Sequence, residues 1–277
     1  MKAFNFFQIL HQRNPLLSAT GWIHAGLCVI FLCLMPFDER LVQNINPWIK
    51  PLKFALSIIF FTWTMGWIMY ELQEKFGRVK RYSKLFAITS FIEMLIITLQ
   101  AARGTTSHFN VFHSPFDAIL FSIMGIFITL NLIVIILVCI NFFTQKTALP
   151  VYLLWAIRLG LISIILASLE GFVMVRMLAH TVGAADGGPG LPLVKWSTIA
   201  GDLRIAHFLG MHGLQIFPIF GYLLSKWQKE NSLQLKTSMV ISLACLYLLL
   251  MNFTFWQAMN KKPLIADKHS VTVYKSK

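Results

Sequence analysis

The 277-residue chain is 57% apolar and only 13% charged, with a mean hydropathy of +0.67. Soluble domains are nearer a quarter charged, so composition excludes that class and points to a membrane protein. The formal net charge of +13 does not signal nucleic acid, because the basic residues sit in short loops beside apolar runs and form no basic face of their own.

Residues 1–18 mix Phe4, Phe6, Phe7, Ile9 and Leu10 with Lys2 and Arg13, the pattern of a short cytoplasmic or interfacial segment. No small-residue cleavage site follows the first apolar run, so that run reads as a retained span and not as a signal peptide. Seven spans are expected, at about 19–36, 52–70, 85–102, 115–143, 150–178, 201–224 and 236–259, each long enough for a bilayer of ~30 Å. The fold class is therefore all-α, a polytopic transmembrane bundle of seven helices over 19–260. Ser114, Pro115 and Asp117 make a strong helix start. Pro218 inside the sixth span predicts a kink. Residues 261–277 form a basic tail expected to fray. Cys28, Cys33, Cys139 and Cys245 all fall inside spans without a CxxC pair, which argues against a disulfide framework or a thiolate metal site.

Seven spans put the termini on opposite sides. The N-terminal side carries Lys75, Arg78, Lys80, Arg81 and Lys84 in one short early loop. That bias makes it the cytoplasmic side, although Lys261, Lys262, Lys268, Lys275 and Lys277 in the tail argue the other way.

Gly201 to Gln215, GDLRIAHFLGMHGLQ, concentrates Asp202, Arg204, His207, His212 and Gln215 in a segment otherwise apolar enough for a membrane. Ionisable groups at that depth cost several kcal/mol, so they need partners or a function. Helical rise places Glu170, His207 and His212 in one outer layer of the bilayer, beneath loops holding Arg103, His108, His113, His180 and Asp186. Glu170, His207, His212, Gln215, Arg204, Arg103 and His108 are thus the candidates for lining a polar cavity open to the outer face. Glu93 and Arg158 lie at similar depth from the other side and are expected to form a buried structural pair. Gln100 and Asn252 read as interhelical glue, and Asp117 as a helix cap. The DGGPGLP stretch reads as a turn, since no strand precedes it as a phosphate cradle requires.

Five residues separate His207 from His212, about 140° around a helix of 3.6 residues per turn, which is poor geometry for one metal held by both rings. Haem is disfavoured: the one membrane histidine outside the sixth span, His24, lies near the opposite side. Zinc remains chemically open through His108, His113, His207 and His212, with Ser107 and Asp117 beside them. In two short patches the chain loosely resembles the seven-span metal-dependent lipid amidases that include alkaline ceramidases. That resemblance implies zinc-dependent hydrolysis at the outer leaflet. The histidine spacing and the adjacency of Ser107 to His108 depart from the pattern, so no residue role is carried over.

A broader resemblance rests on NPWIKPLKFALS, QAARGTTSHFN, SLEGFVMV, GGPGLP and GDLRIAHFLGMHGLQ, covering most of residues 46–225. These motifs resemble an uncharacterised family of bacterial multi-span inner-membrane proteins. The resemblance implies packed transmembrane helices in the inner membrane and no particular activity. Beyond the lipid bilayer as partner, three readings stay open: binding or transport of a small molecule or ion, a zinc hydrolase, or a structural or assembly protein whose polar groups are paired internally.

Overall fold

A computed structural model describes residues 3–72, 76–227 and 232–267. Among them, seven helices are long and apolar enough to cross a membrane, as hydropathy predicts. The only sheet among the described residues is a two-stranded pair. The chain divides into two compact units, Met1–Leu149 and Pro150–Lys277. Of the basic residues used to orient the chain, Lys2, Lys75, Lys268, Lys275 and Lys277 lie outside the described residues.

The first unit holds α1 (Ala3–Arg13), α2 (Pro15–Leu34), α3 (Ile49–Met69), α4 (Phe76–Ala102) and α5 (Pro115–Thr144). The expected interfacial segment is the short helix α1. It is pinned through Arg13, which donates to Glu71 Oε1 at 2.9 Å and lies 4.3 Å over the Trp67 ring. Asn14 divides α1 from α2. Its Oδ1 caps Leu17 N, its Nδ2 donates to Ser83 Oγ at 2.8 Å, and Pro15 opens the new helix. The core gathers Cys28, Phe31, Ala55, Ile59, Met94 and Ala101 from α2, α3 and α4, with Trp48 at its edge.

Helix α4 begins at Phe76, well before the apolar limit expected at 85. Apolar content marks where the bilayer begins, whereas Lys and Arg are good helix formers and carry the helix on into the basic stretch. Ser114 caps α5 as expected, its hydroxyl accepting from Asp117 N at 3.1 Å.

The second unit holds α6 (Val151–Met177), α7 (Arg204–Ser225) and α8 (Leu233–Met259), with β1 (Thr181–Val182) antiparallel to β2 (Gly201–Asp202). The sixth span therefore opens at Arg204. Gly201 and Asp202, expected within it, pair with β1 instead. Helix α7 runs on through Pro218 without a break.

Small residues set how closely α6 and α7 approach. Ala156, Gly160, Ser163 and Ala167 face Gly210, Gly213, Leu214 and Gly221, and Gly171 faces His207. A β-carbon on Gly213 would sit 2.3 Å from Ser163 Oγ, and one on Gly160 3.1 Å from the Gly213 carbonyl. Such seams replace hydrophobic drive, which is weak between helices in lipid, with close packing. Tyr152, Phe217, Val240 and Ala244 fill the core nearer the other end of the three helices.

The segment after α8 is folded and not frayed as far as it is described. Gln257 Nε2 donates to the Pro263 carbonyl at 2.8 Å, and Asp267 N to the Thr198 carbonyl at 3.2 Å.

Candidate functional site

In the first unit the polar centre is Asp117, fully buried at the start of α5. One carboxylate oxygen accepts from Gln100 Nε2 at 2.7 Å and from Arg103 Nη1; the other accepts from Ser114 Oγ at 2.6 Å and meets His113 Nδ1 at 2.7 Å. Gln100 lies in the last turn of α4 and Arg103 directly follows the helix, three residues on, with its Nη1 also donating to Gln100 Oε1 at 2.5 Å. The Arg103 guanidinium also rests 4.8 Å over Phe116. Arg103 and Gln100 are thus spent on an internal network that joins α4 to α5, and the side chain read as a simple cap is its hub.

His108 bonds its neighbour Ser107 at 2.9 Å and packs among Phe54, Phe109 and Phe121. His113 is mostly exposed. A second latch ties 38–48 to the end of α4. Arg40 grips Asp38 through Nε and Nη2 while its Nη1 reaches the Ala102 carbonyl at 3.0 Å, and Trp48 Nε1 donates to Asp38 at 2.9 Å. The Arg40 hydrogen bonds hold the Asp38 carboxyl well below the usual carboxylate range. Between the latches lies a cavity of about 30 Å³ lined by Val42, Asn46, Ile97, Thr105 and Ser107 among others, room for a water or two and not for an organic ligand.

In the second unit the connection from α6 to α7 is built in the same manner. Asp186 accepts from the backbone N–H groups of His180 and Thr181, and its Oδ1 lies 3.1 Å from His180 Nδ1. Asp202, almost wholly buried, accepts from Ser197 N at 2.8 Å, Arg204 Nε at 2.9 Å and Arg204 Nη2 at 2.6 Å. Burial pushes the Asp202 carboxyl up. The Arg204 hydrogen bonds and charge, the Ser197 N–H and the nearby His180 outweigh it and hold the group below its ordinary value. Arg204 Nη2 also reaches the Lys195 carbonyl, so this residue closes the loop. DGGPGLP is a turn, as read, with Gly187 at φ 86°.

Deeper in the same unit the pattern changes. His207 Nδ1 lies 2.7 Å from the Ala167 carbonyl. A carbonyl only accepts, so Nδ1 carries the proton and Nε2 is left as an acceptor. The ring edge sits against Gly171, 3.4 Å from where its β-carbon would be, one residue along α6 from Glu170. Glu170 is buried, and its Oε2 has no hydrogen-bond partner. Gln215 Oε1 is likewise buried without one.

His212 stands apart from Glu170 and His207 and bonds the Gln215 side chain on its own helix. The residues of α7 that meet α6 are Gly210, Gly213, Leu214 and Gly221, and at about 100° per residue His212 projects roughly opposite to them. There it packs edge-on against Phe208 at 4.3 Å. Of the expected trio, His207 packs against Gly171, the residue after Glu170, and His212 lies apart from it.

Glu93 and Arg158, expected to pair, belong to different units. Glu93 leaves its buried Oε1 without a hydrogen bond, and Arg158 stacks 5.3 Å over Trp155. Among the described residues no three His, Cys, Asp or Glu side chains gather in a group that could hold a metal ion. Within the first unit His108 and His113 are held by separate neighbours, Ser107 and Asp117; within the second His180, His207 and His212 point to Asp186, Ala167 and Phe208. The convergence that the zinc reading demands is not met. Neither a family model, a curated protein nor a solved structure matches the chain.

Proposed function

We propose that the chain is a multi-pass protein of a bacterial inner membrane that binds a small cation or protonated amine at Glu170, in the outer half of its second unit, in the course of transport or sensing. Kinship with bacterial inner-membrane proteins carrying the NPWIKPLKFALS and QAARGTTSHFN motifs belongs to the same proposal.

The observation that carries it is a contrast between carboxylates. Asp38, Glu71, Asp117, Asp186 and Asp202 each have a basic partner. Glu170 and Glu93 have none among the described residues, and each leaves one buried carboxylate oxygen accepting nothing. Glu170 is set apart from Glu93 by the polar outer layer in which it lies, next to the Gly171 on which His207 packs. The His207 ring packs against Gly171, the next residue of α6, with its Nε2 as an acceptor. A buried carboxylate oxygen without a donor suits a cation or a proton-bearing group, and intramembrane ionisable residues of this kind mark ligand and ion pathways.

Purified protein is tested for thermal stabilisation by sodium, potassium and ethanolammonium at constant ionic strength. Reconstituted vesicles are tested for proton flux with a pH-sensitive dye. The expected result is a shift or flux that Glu170→Gln removes and Glu93→Gln retains. No response to any of the four cations, or an equal response from Glu170→Gln, overturns the assignment.

A further inference from the structure

Helix α8 is the span with the smallest buried share, and within its open side, which also presents Ile241, Leu246, Leu250 and Phe253 as a lipid-facing helix would, one stripe differs. Val240, Ala244, Met251, Thr254 and Ala258 are buried. On the far side Ser238, Ser242, Cys245, Leu249, Asn252 and Trp256 are all exposed. Their spacings of four, three, four, three and four residues are those of a heptad seam, which keeps one face toward a partner helix along the whole length. Four of the six are small or polar. Lipid tails reward Leu and Phe, whereas a helix–helix interface in a membrane rewards small residues that admit a second backbone and polar ones that bond across it.

The polar groups on this seam are also unfinished. Asn252 Nδ2 donates back to the Leu248 carbonyl at 2.7 Å. Its second amide hydrogen and its Oδ1 make no hydrogen bond among the described residues, and neither do the hydroxyls of Ser238 and Ser242. Asn252 lies six residues from the midpoint of α8, about 9 Å along the axis and so within a hydrocarbon core ~30 Å thick. No water is present there to satisfy an amide.

We propose that this face of α8 is the contact through which two copies of the chain form a dimer. A second copy is the occupant that the amide selects. Copies share one orientation in the membrane, so a two-fold axis along the bilayer normal brings each seam residue against itself. An asparagine carries both donor and acceptor, hence Asn252 of each copy completes the other. The same axis sets Cys245 against Cys245.

Cys245 makes the test direct. Cys28 and Cys139 are buried, and Cys33 is the other exposed thiol. Full-length protein with Cys33→Ser is oxidised in native membranes with copper phenanthroline and resolved without reductant. A band of twice the monomer mass is expected, absent from Cys33→Ser/Cys245→Ser and restored by reductant. Asn252→Leu, which keeps the helix apolar, should cut its yield several-fold, with Asn252→Gln retaining most of it. A thiol moved off the seam, Leu246→Cys in the double-serine background, should cross-link poorly. A monomer in Cys33→Ser, a cross-linked band of any other mass, unchanged yield in Asn252→Leu, or equal yield from Leu246→Cys overturns the proposal.

Discussion

Ser163 donates its hydroxyl to the Gly210 carbonyl at 2.8 Å, a buried bond between two transmembrane helices. It forms because Gly210 and Gly213 let the α7 backbone come within reach of a side chain only two atoms long. Gly213→Ala puts a methyl 2.3 Å from Ser163 Oγ and 2.7 Å from its Cβ. The helices must separate, losing both the bond and the packing. A loss of about 1–3 kcal/mol follows from overpacking alone, read as a lowered midpoint of thermal unfolding in detergent. Gly26→Ala, where a β-carbon meets nothing within 4 Å, is the control expected to be neutral or mildly stabilising.

Asp117 gathers more side-chain donors than any other carboxylate among the described residues. Asp117→Ala takes the carboxylate acceptor from Gln100 Nε2, Arg103 Nη1 and the Ser114 hydroxyl, leaving Arg103 only the Gln100 Oε1 within the network and keeping the backbone cap of Ser114. His113 is mostly exposed, so His113→Ala removes only a solvent-screened contact. The expected order of thermal stability is wild type, close to His113→Ala, then well below them Asp117→Ala. Proteolysis between 103 and 114 should speed up in the last variant alone.

The latch around Asp202 predicts a pH dependence with a definite sign. Its folded carboxyl titrates below the unfolded value, which for aspartate is about 3.9. The stabilisation is therefore complete above that value and is lost as pH falls through the lower folded one. Hydrogen exchange of the 178–203 segment should be constant from neutral pH down to about 4, after correction for the intrinsic rate, and rise below it. Arg204→Met removes the hydrogen bonds and charge that oppose burial, so the rise should begin at higher pH.

Hydropathy found the seven spans because each is a long apolar run, and Ser114-Pro115 marked a helix start because capping is local chemistry. The partners of the carboxylates were not legible. Gln100 and Arg103 reach Asp117 across a loop, Arg40 reaches the end of α4 across two spans, and neither leaves a periodic signal. The start of α7 was misplaced because Gly201 and Asp202 are continuous with an apolar run, while their backbone bonds go to Thr181 and Val182. For His212 the angular argument from sequence spoke against a metal shared with His207 but left both on one cavity. What it lacked was the face of α7 that meets α6, and the glycines of that face supply it.

Glu170→Leu separates function from structure most sharply. A buried carboxylate oxygen that accepts nothing costs about 1–3 kcal/mol, and leucine fills similar volume without that cost. Were Glu170 a packing residue with internal partners, its removal would strand them and lower the unfolding midpoint. With Oε2 unpartnered, the variant should instead unfold at the same temperature or higher while losing the cation response. Wild type should gain stability steadily as the cation is added, and Glu170→Leu should not. His207→Phe makes the complementary measurement. It loses the bond to the Ala167 carbonyl and should lower stability, and because Glu170 remains, it should weaken the cation response without abolishing it.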